Sequence, residues 1–306
     1  MQLFRTSFKA MGCINEIAAS AEDAETAERA MQLAAREVLR IEKKYSRYRQ
    51  DEDSIVYRIN RSAGGVPAVT CDPETMELLR FADRMFNLSG GLFDITSGVL
   101  RHAWDFTKSA PPEPGAVAPL LKLIGWSRVE IGNDTVRLPA AGMEIDFGGF
   151  GKEYATDRAA SVLRANGIKN GYVNLGGDIR AIGHQPGGNP WLFGVQDPRK
   201  AGAVIASIPI SDGALATSGD YEKFLKHNEN HYCHILNPFD GMSVKCWRSV
   251  SVVGVTTLSA GAMTTIAMLK EAEAVSFLEE LNFSYLLVDA GGRISTNRQS
   301  TELEQF

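Results

Sequence analysis

Cysteine is scarce in this chain of 306 residues, with Cys13, Cys71, Cys233 and Cys246 the four present. They lie far apart and form no CxxC pair, which argues against a zinc ribbon or a redox dithiol and leaves free core thiols as the plain reading. Charge of one sign is equally sparse: 32 basic residues face 37 acidic ones, for a formal net charge of −5 and no basic block. Such a chain has no electrostatic footprint for nucleic acid or an anionic membrane surface. Long hydrophobic runs are missing as well, since none reaches the roughly 18 residues of a spanning helix. The opening MQLFRTSFKAMGC sets a small residue before Cys13, as a lipoprotein cleavage site does, yet Arg5 and Lys9 interrupt the apolar region a signal needs. The expectation is a cytoplasmic protein. No fixed-period repeat and no low-complexity tail stand out.

The chain does have the 44% hydrophobic and 23% charged content of an ordinary globular protein, and its length fits one or two domains, taken as one over 1–306. Ala27, Met31, Ala34, Val38 and Ile41 recur at alternating spacings of four and three, which predicts an amphipathic helix over 21–45. Met76, Leu79, Ala82 and Phe86 repeat the pattern over 73–88, with Asp72 placed to cap it. The Pro, Ala and Ser of 107–117 mark a loop. Short β-like runs are expected at 129–131, 136–138, 143–147, 171–175, 191–195, 204–210, 232–236, 249–255 and 285–289. Helices are expected at 152–166, 259–270 and 271–281. Without a regular βαβ alternation the fold class is α+β.

Three glycine pairs punctuate these elements. In 143–157, MEIDFGGFGKEYATD, an apolar run empties into Gly148 and Gly149 and then into a helix carrying Lys152. Glycines let backbone approach a ligand closely, and a helix start offers unpaired N–H groups that favour anions, so this is the first candidate phosphate site. NLGGDI, with Asn174, Gly176, Gly177 and Asp178, follows the next apolar run, and SGGLFDIT begins upstream at Ser89. Three turns of one kind suggest one large ligand. They are GG pairs rather than GxGxxG, with no acid about 20 residues on in a clean βαβ unit, which argues against a dinucleotide oxidoreductase. Thr217, Ser218, Gly219, Asp220 and Tyr221 bring hydroxyls and a carboxylate beside a glycine. Each residue also has a bland reading. Met11 and Phe93 suit core packing, Asp146 suits a helix cap, Asn174 and Asp178 suit a strand-ending turn, and Asp157 suits a packing or surface polar role.

FKAMGC at Phe8, SGGLFDITSG at Ser89, IDFGGFGKEYATD at Ile145, NLGGDIRAIG at Asn174, ATSGDYEKF at Ala216, HILNPFDGMSV at His234 and SAGAMTTIAML at Ser259 occur in the order used by the ApbE family. The sequence resembles a flavin transferase of that family over roughly the whole chain. The resemblance implies an ApbE-like domain with mixed, largely antiparallel sheets flanked by helices. It implies FAD as donor, magnesium, and transfer of FMN to a Ser or Thr hydroxyl of a target flavoprotein with release of AMP. His234, Asp146 and Lys152 become the candidate catalytic residues, His234 as the base that accepts the hydroxyl proton; His231 is a weaker neighbour. Met11, Tyr48, Phe93, Asp94, Gly148, Gly149, Lys152, Gly176, Gly177, Asp178, Thr217, Ser218, Gly219 and His234 become candidate FAD contacts.

The metal positions implied are Gly149, Gly261 and Thr265. Thr265 matches the family pattern, but Gly261 stands where the family has an aspartate, and Asn237 replaces a second one after His234. Magnesium prefers hard oxygen ligands, usually with one or two carboxylates. Losing that carboxylate should weaken magnesium strongly unless substrate phosphates, waters or a nearby acid such as Asp146 or Asp220 compensate. The alternatives are an FAD-binding protein with little or no turnover, or a pyrophosphatase that cleaves FAD to FMN and AMP with water.

Overall fold

The computed structural model describes residues 1–298 apart from 109, 201, 222 and 229. In chain order its elements are β1 (Gln2–Ala10), β2 (Cys13–Ala21), α1 (Ala24–Tyr45), α2 (Ile55–Arg61), β3 (Val69–Thr70), α3 (Pro73–Leu88), a 3₁₀ helix (Ile95–His102) and α4 (Ala118–Leu121). Then come β4 (Glu130–Ile131), β5 (Thr135–Arg137), α5 (Gly151–Ala165), β6 (Gly171–Leu175), β7 (Asp178–Ile182), β8 (Trp191–Gln196), β9 (Val204–Ile210) and β10 (Gly213–Gly219). The chain continues through β11 (Phe224–His227), β12 (Asn230–Cys233), β13 (Trp247–Gly254), α6 (Thr257–Lys270), α7 (Ala274–Glu280), β14 (Ser284–Asp289) and β15 (Ile294–Thr296).

The organising element is an eight-stranded sheet ordered β1-β2-β6-β7-β10-β13-β14-β15, in which every neighbouring pair is antiparallel. The fold is α+β, as the sequence pattern indicates. β7 is buried at all of its positions, Asp178 and Arg180 included, because the sheet is covered on both faces. One face meets helices α1, α5, α6 and α7. The other meets the β8–β9 hairpin, whose Trp191, Phe193, Val195, Ala206, Ile208 and Ile210 pack on Ala18, Tyr172, Ile179, Leu215 and Leu286 of the sheet.

The predicted helices form where periodicity and caps agree. Ala27, Met31, Ala34, Val38 and Ile41 are all buried along α1, and the Asp23 carboxylate accepts from Thr26 N at 2.8 Å. Asp72 caps α3 by accepting from Thr75 N at 2.9 Å.

Two strand expectations need correction. Residues 143–147 join no sheet among the described residues. Their alternating burial, with Met143, Ile145 and Phe147 inside, mimics a half-buried strand. A side chain, however, takes the place of a neighbouring strand: Ile145 N donates to Asn60 Oδ1 at 2.7 Å, and Asn60 Nδ2 donates back to Ile145 O at 3.0 Å. The strand expected at 232–236 ends at Cys233, so His234 sits just beyond β12. The β1–β2 pair was not anticipated; its outer strand carries Arg5 and Lys9, charges that discourage further pairing at a sheet edge.

Candidate active site

A cleft of about 200 Å³ opens between the 3₁₀ helix, the start of α5, the end of β10, the segment after β12 and α6. Its wall includes Phe93, Asp94, Asp146, Gly148, Gly149, Lys152, Asp178, Thr217, Ser218, Gly219, His234 and Thr265. Far-apart motifs thus converge on one site.

The 147–151 turn folds tightly, with Gly151 N donating to Phe147 O at 2.6 Å and Asp146 Oδ1 accepting from Gly148 N at 2.8 Å. α5 then begins without a side-chain cap. An uncapped helix start exposes N–H groups and the positive end of the helix dipole, which favours phosphate. Gly149 backs onto the Phe93 ring, where a Cβ would stand 3.4 Å from Cζ. The other oxygen of Asp146, Oδ2, takes a 3.2 Å ion pair from Arg47, which also donates to Gly98 O at 2.8 Å.

Lys152 does not project a free ammonium. It pairs with Asp178 and donates to Leu175 O at 3.2 Å, while Asp178 Oδ1 accepts from Thr217 N at 3.1 Å. The buried Asp178 carboxylate therefore ties α5 and β10 to the second glycine turn. In that turn Gly176 has a φ of +58°, and a Cβ there would meet Cys13 Sγ at 2.9 Å. Gly176 and Gly177 do not line the cleft.

Several other expected contacts lie apart from it. Tyr48 is 76% exposed, and Met11 sits in the β1–β2 turn with its N–H on Glu42 Oε1 at 2.6 Å; neither lines the cleft. Asp94 does, but its carboxylate is consumed by Thr96 N at 2.7 Å, Thr96 Oγ1 at 2.6 Å and Trp126 N at 2.9 Å. Asp220 is held by Arg248 at 2.6 Å and by His231 at 3.3 Å, outside the cleft wall. Asn237 forms a local turn, accepting from Phe239 N at 2.9 Å. Asp157 has a packing role: it accepts from Thr257 N at 2.9 Å and Leu258 N at 2.8 Å, capping α6 and docking it on α5. Burial pushes its carboxyl above the ordinary value.

His234 is partly buried, and its Nδ1 lies 3.2 Å from the Lys223 carbonyl. A carbonyl only accepts, so Nδ1 carries the proton and Nε2 is left as an acceptor. Burial, and then the positive charge of Arg101, lower its pKa to about 4. The imidazole is neutral at pH 7, as a general base must be.

Sequence reasoning missed Ser97, Arg101 and Glu153 in the wall. Ser97 and Arg101 are four apart on the 3₁₀ helix, and Glu153 follows Lys152 directly in the motif. Among the described residues no group of three His, Cys, Asp or Glu side chains could hold a metal ion unaided. Gly261 does not line the cleft, and its carbonyl accepts from Thr264 Oγ1 at 2.8 Å. Thr265 lines it together with buried Glu153, whose Oε2 has no hydrogen-bond partner among the described residues. One carboxylate, a hydroxyl and room for phosphate suit magnesium, which keeps several waters and shares its ligands with substrate phosphates.

The model of the ApbE family matches residues 11–288. The chain belongs to the ApbE family. Its structure is similar to the ApbE protein of Thermotoga maritima, with a TM-score of 0.89, 30% identity and 98% of each chain covered. Among curated relatives, the FAD:protein FMN transferase of Treponema pallidum is 29% identical over 70% of this chain and 64% of its own length. That of Rhodobacter capsulatus is 28% identical over 80% of this chain and 48% of its own. The chain therefore spans less than two thirds of the length of these two curated relatives.

Proposed function

We propose that this chain is a magnesium-dependent FAD:protein FMN transferase, moving FMN from FAD to a Ser or Thr hydroxyl of a target flavoprotein. The observation that carries this reading is the meeting, in one cleft of an ApbE-family chain, of an uncapped helix start with a neutral histidine whose Nε2 is free to accept a proton. The positive end of the α5 dipole and the guanidinium of Arg101 favour the pyrophosphate, and the Phe93 ring offers an apolar wall to a flat ligand. The acceptor hydroxyl attacks the FMN phosphorus, its proton passes to His234 Nε2, and the phosphorus–oxygen bond to AMP breaks. Positioning and charge neutralisation do most of such work. Magnesium, held by oxygen donors near Gly149 and Thr265 and by the phosphates, would neutralise the charge that develops on them. Lys152 acts through Asp178, fixing the α5 start against the second glycine turn.

The test is to incubate the protein with FAD, magnesium and a peptide carrying a target Thr, and to follow AMP and the flavinylated peptide. Equal amounts of AMP and labelled peptide are expected. AMP with free FMN and no labelled peptide would mean that water is the acceptor, and absence of all products at saturating FAD would reject the enzyme reading.

A further inference from the structure

Glu153 is the anomaly of the cleft. It is only 8% exposed, it lines the cleft, and among the described residues its Oε2 has no hydrogen-bond partner. A buried carboxylate without a partner is costly, so native proteins pair such groups or use them to coordinate metals. The usual partner for an acid in the first turn of a helix is the N-cap amide, in a capping box. Here that amide is taken, since Phe150 N donates to Phe147 O at 3.0 Å. The neighbouring cation is taken too, because Lys152 pairs with Asp178.

The space that Glu153 fills is made by Gly261. A Cβ on residue 261 of α6 would stand 3.0 Å from Glu153 Cδ and 3.1 Å from Oε1, and nearer still to Cγ. Any side chain at 261 and the present position of Glu153 therefore exclude each other. The two helices pack directly on one another, so one helix can supply a carboxylate only where the other supplies none. The other acids are committed: Asp94 to backbone amides, Asp146 to Arg47, and Asp178 to Lys152.

We propose that Glu153 is the carboxylate that holds the divalent cation of this cleft, reaching from α5 into the volume that Gly261 leaves open on α6. Thr265 and the phosphates of the bound ligand complete the oxygen set, and the identity of those phosphates rests on the FMN-transfer reading. One carboxylate with substrate oxygens and water is a sufficient protein share for a magnesium-like ion.

The experiment titrates Mn²⁺ into the purified protein, with and without FAD, and counts free Mn²⁺ by electron paramagnetic resonance. Glu153→Gln should weaken Mn²⁺ binding by about 100-fold or more, since even outer partners of a metal site cost about 10–100-fold. Its FAD affinity without metal and its metal-free melting temperature should hold or rise. The double variant Glu153→Gly/Gly261→Asp, which offers the carboxylate from the opposite helix, should recover Mn²⁺ binding, whereas Gly261→Asp alone should not improve it. Unchanged Mn²⁺ binding in Glu153→Gln overturns the proposal. If that variant unfolds, failure of the double variant to bind Mn²⁺ overturns it. If wild-type protein binds Mn²⁺ through Glu153 yet leaves FAD intact, the transfer reading falls and this inference stands; if it transfers FMN while Glu153→Gln binds Mn²⁺ normally, the reverse holds.

Discussion

The two faces of the central sheet are built to opposite specifications. The hairpin face is aromatic and closely packed, with the Tyr172 ring edge-on to Trp191 at 5.1 Å and to Phe193 at 5.4 Å. The helical face is as well packed at its centre, but at the start of α5 it has an uncapped helix, committed ion pairs and the unpartnered oxygen of Glu153. One face supplies stability and the other holds polar groups in readiness.

Substitutions on the two faces should therefore separate activity from stability. The largest effect is expected from His234→Ala, which should lower turnover of FAD about 10²–10⁴-fold, the usual weight of a general base, with little change in melting temperature. Because the His234 pKa is lowered to about 4, the acid limb of the wild-type rate profile should lie near there rather than at about 6.5. The sign for stability follows from the same shift. The unfolded chain takes up the proton first as pH falls, so the stability contributed by neutral His234 is present above about 6.5 and is lost down to about 4.

Phe193→Ala on the hairpin face should give the reverse pattern. It should cost about 3–5 kcal/mol of stability by chemical denaturation, while FAD turnover well below the melting temperature is retained. Lys152→Ala crosses the divide, because it strips the cation from buried Asp178. A loss of about 1.5–3 kcal/mol is expected, together with slower turnover from a displaced α5 start. The smallest effect belongs to Tyr48→Ala, on an exposed ring outside the cleft, which should leave FAD affinity unchanged and stability within about 0.5 kcal/mol.

Much of the helical face was legible in the sequence because its signals are local. Asp72 marks a helix start, the spacing of Met31, Val38 and Ile41 marks a buried stripe, and the Gly148 and Gly149 pair marks an open helix entry. The run at 143–147 was misread for an equally physical reason. Alternating burial looks the same whether the backbone pairs with a strand or, as here, with the Asn60 amide. Site composition was legible where residues share a turn, as with Gly149 and Lys152, but the pairing of Lys152 with Asp178 needed the sheet to bring them together. Glu153 was hidden most deeply. It reads as one more charge in a helix until Gly261, far along the chain, is placed against it. That contact also changes the meaning of Gly261, from a missing ligand to the space that lets another residue serve.

A crystal grown with FAD and Mn²⁺ tests this account most directly, through the anomalous scattering of the metal. The account predicts one peak within coordination distance of the Glu153 carboxylate and the FAD phosphates, beside Thr265. A peak bound by the phosphates and Asp146 with Glu153 turned away, or no peak in a cleft that holds FAD, would contradict it.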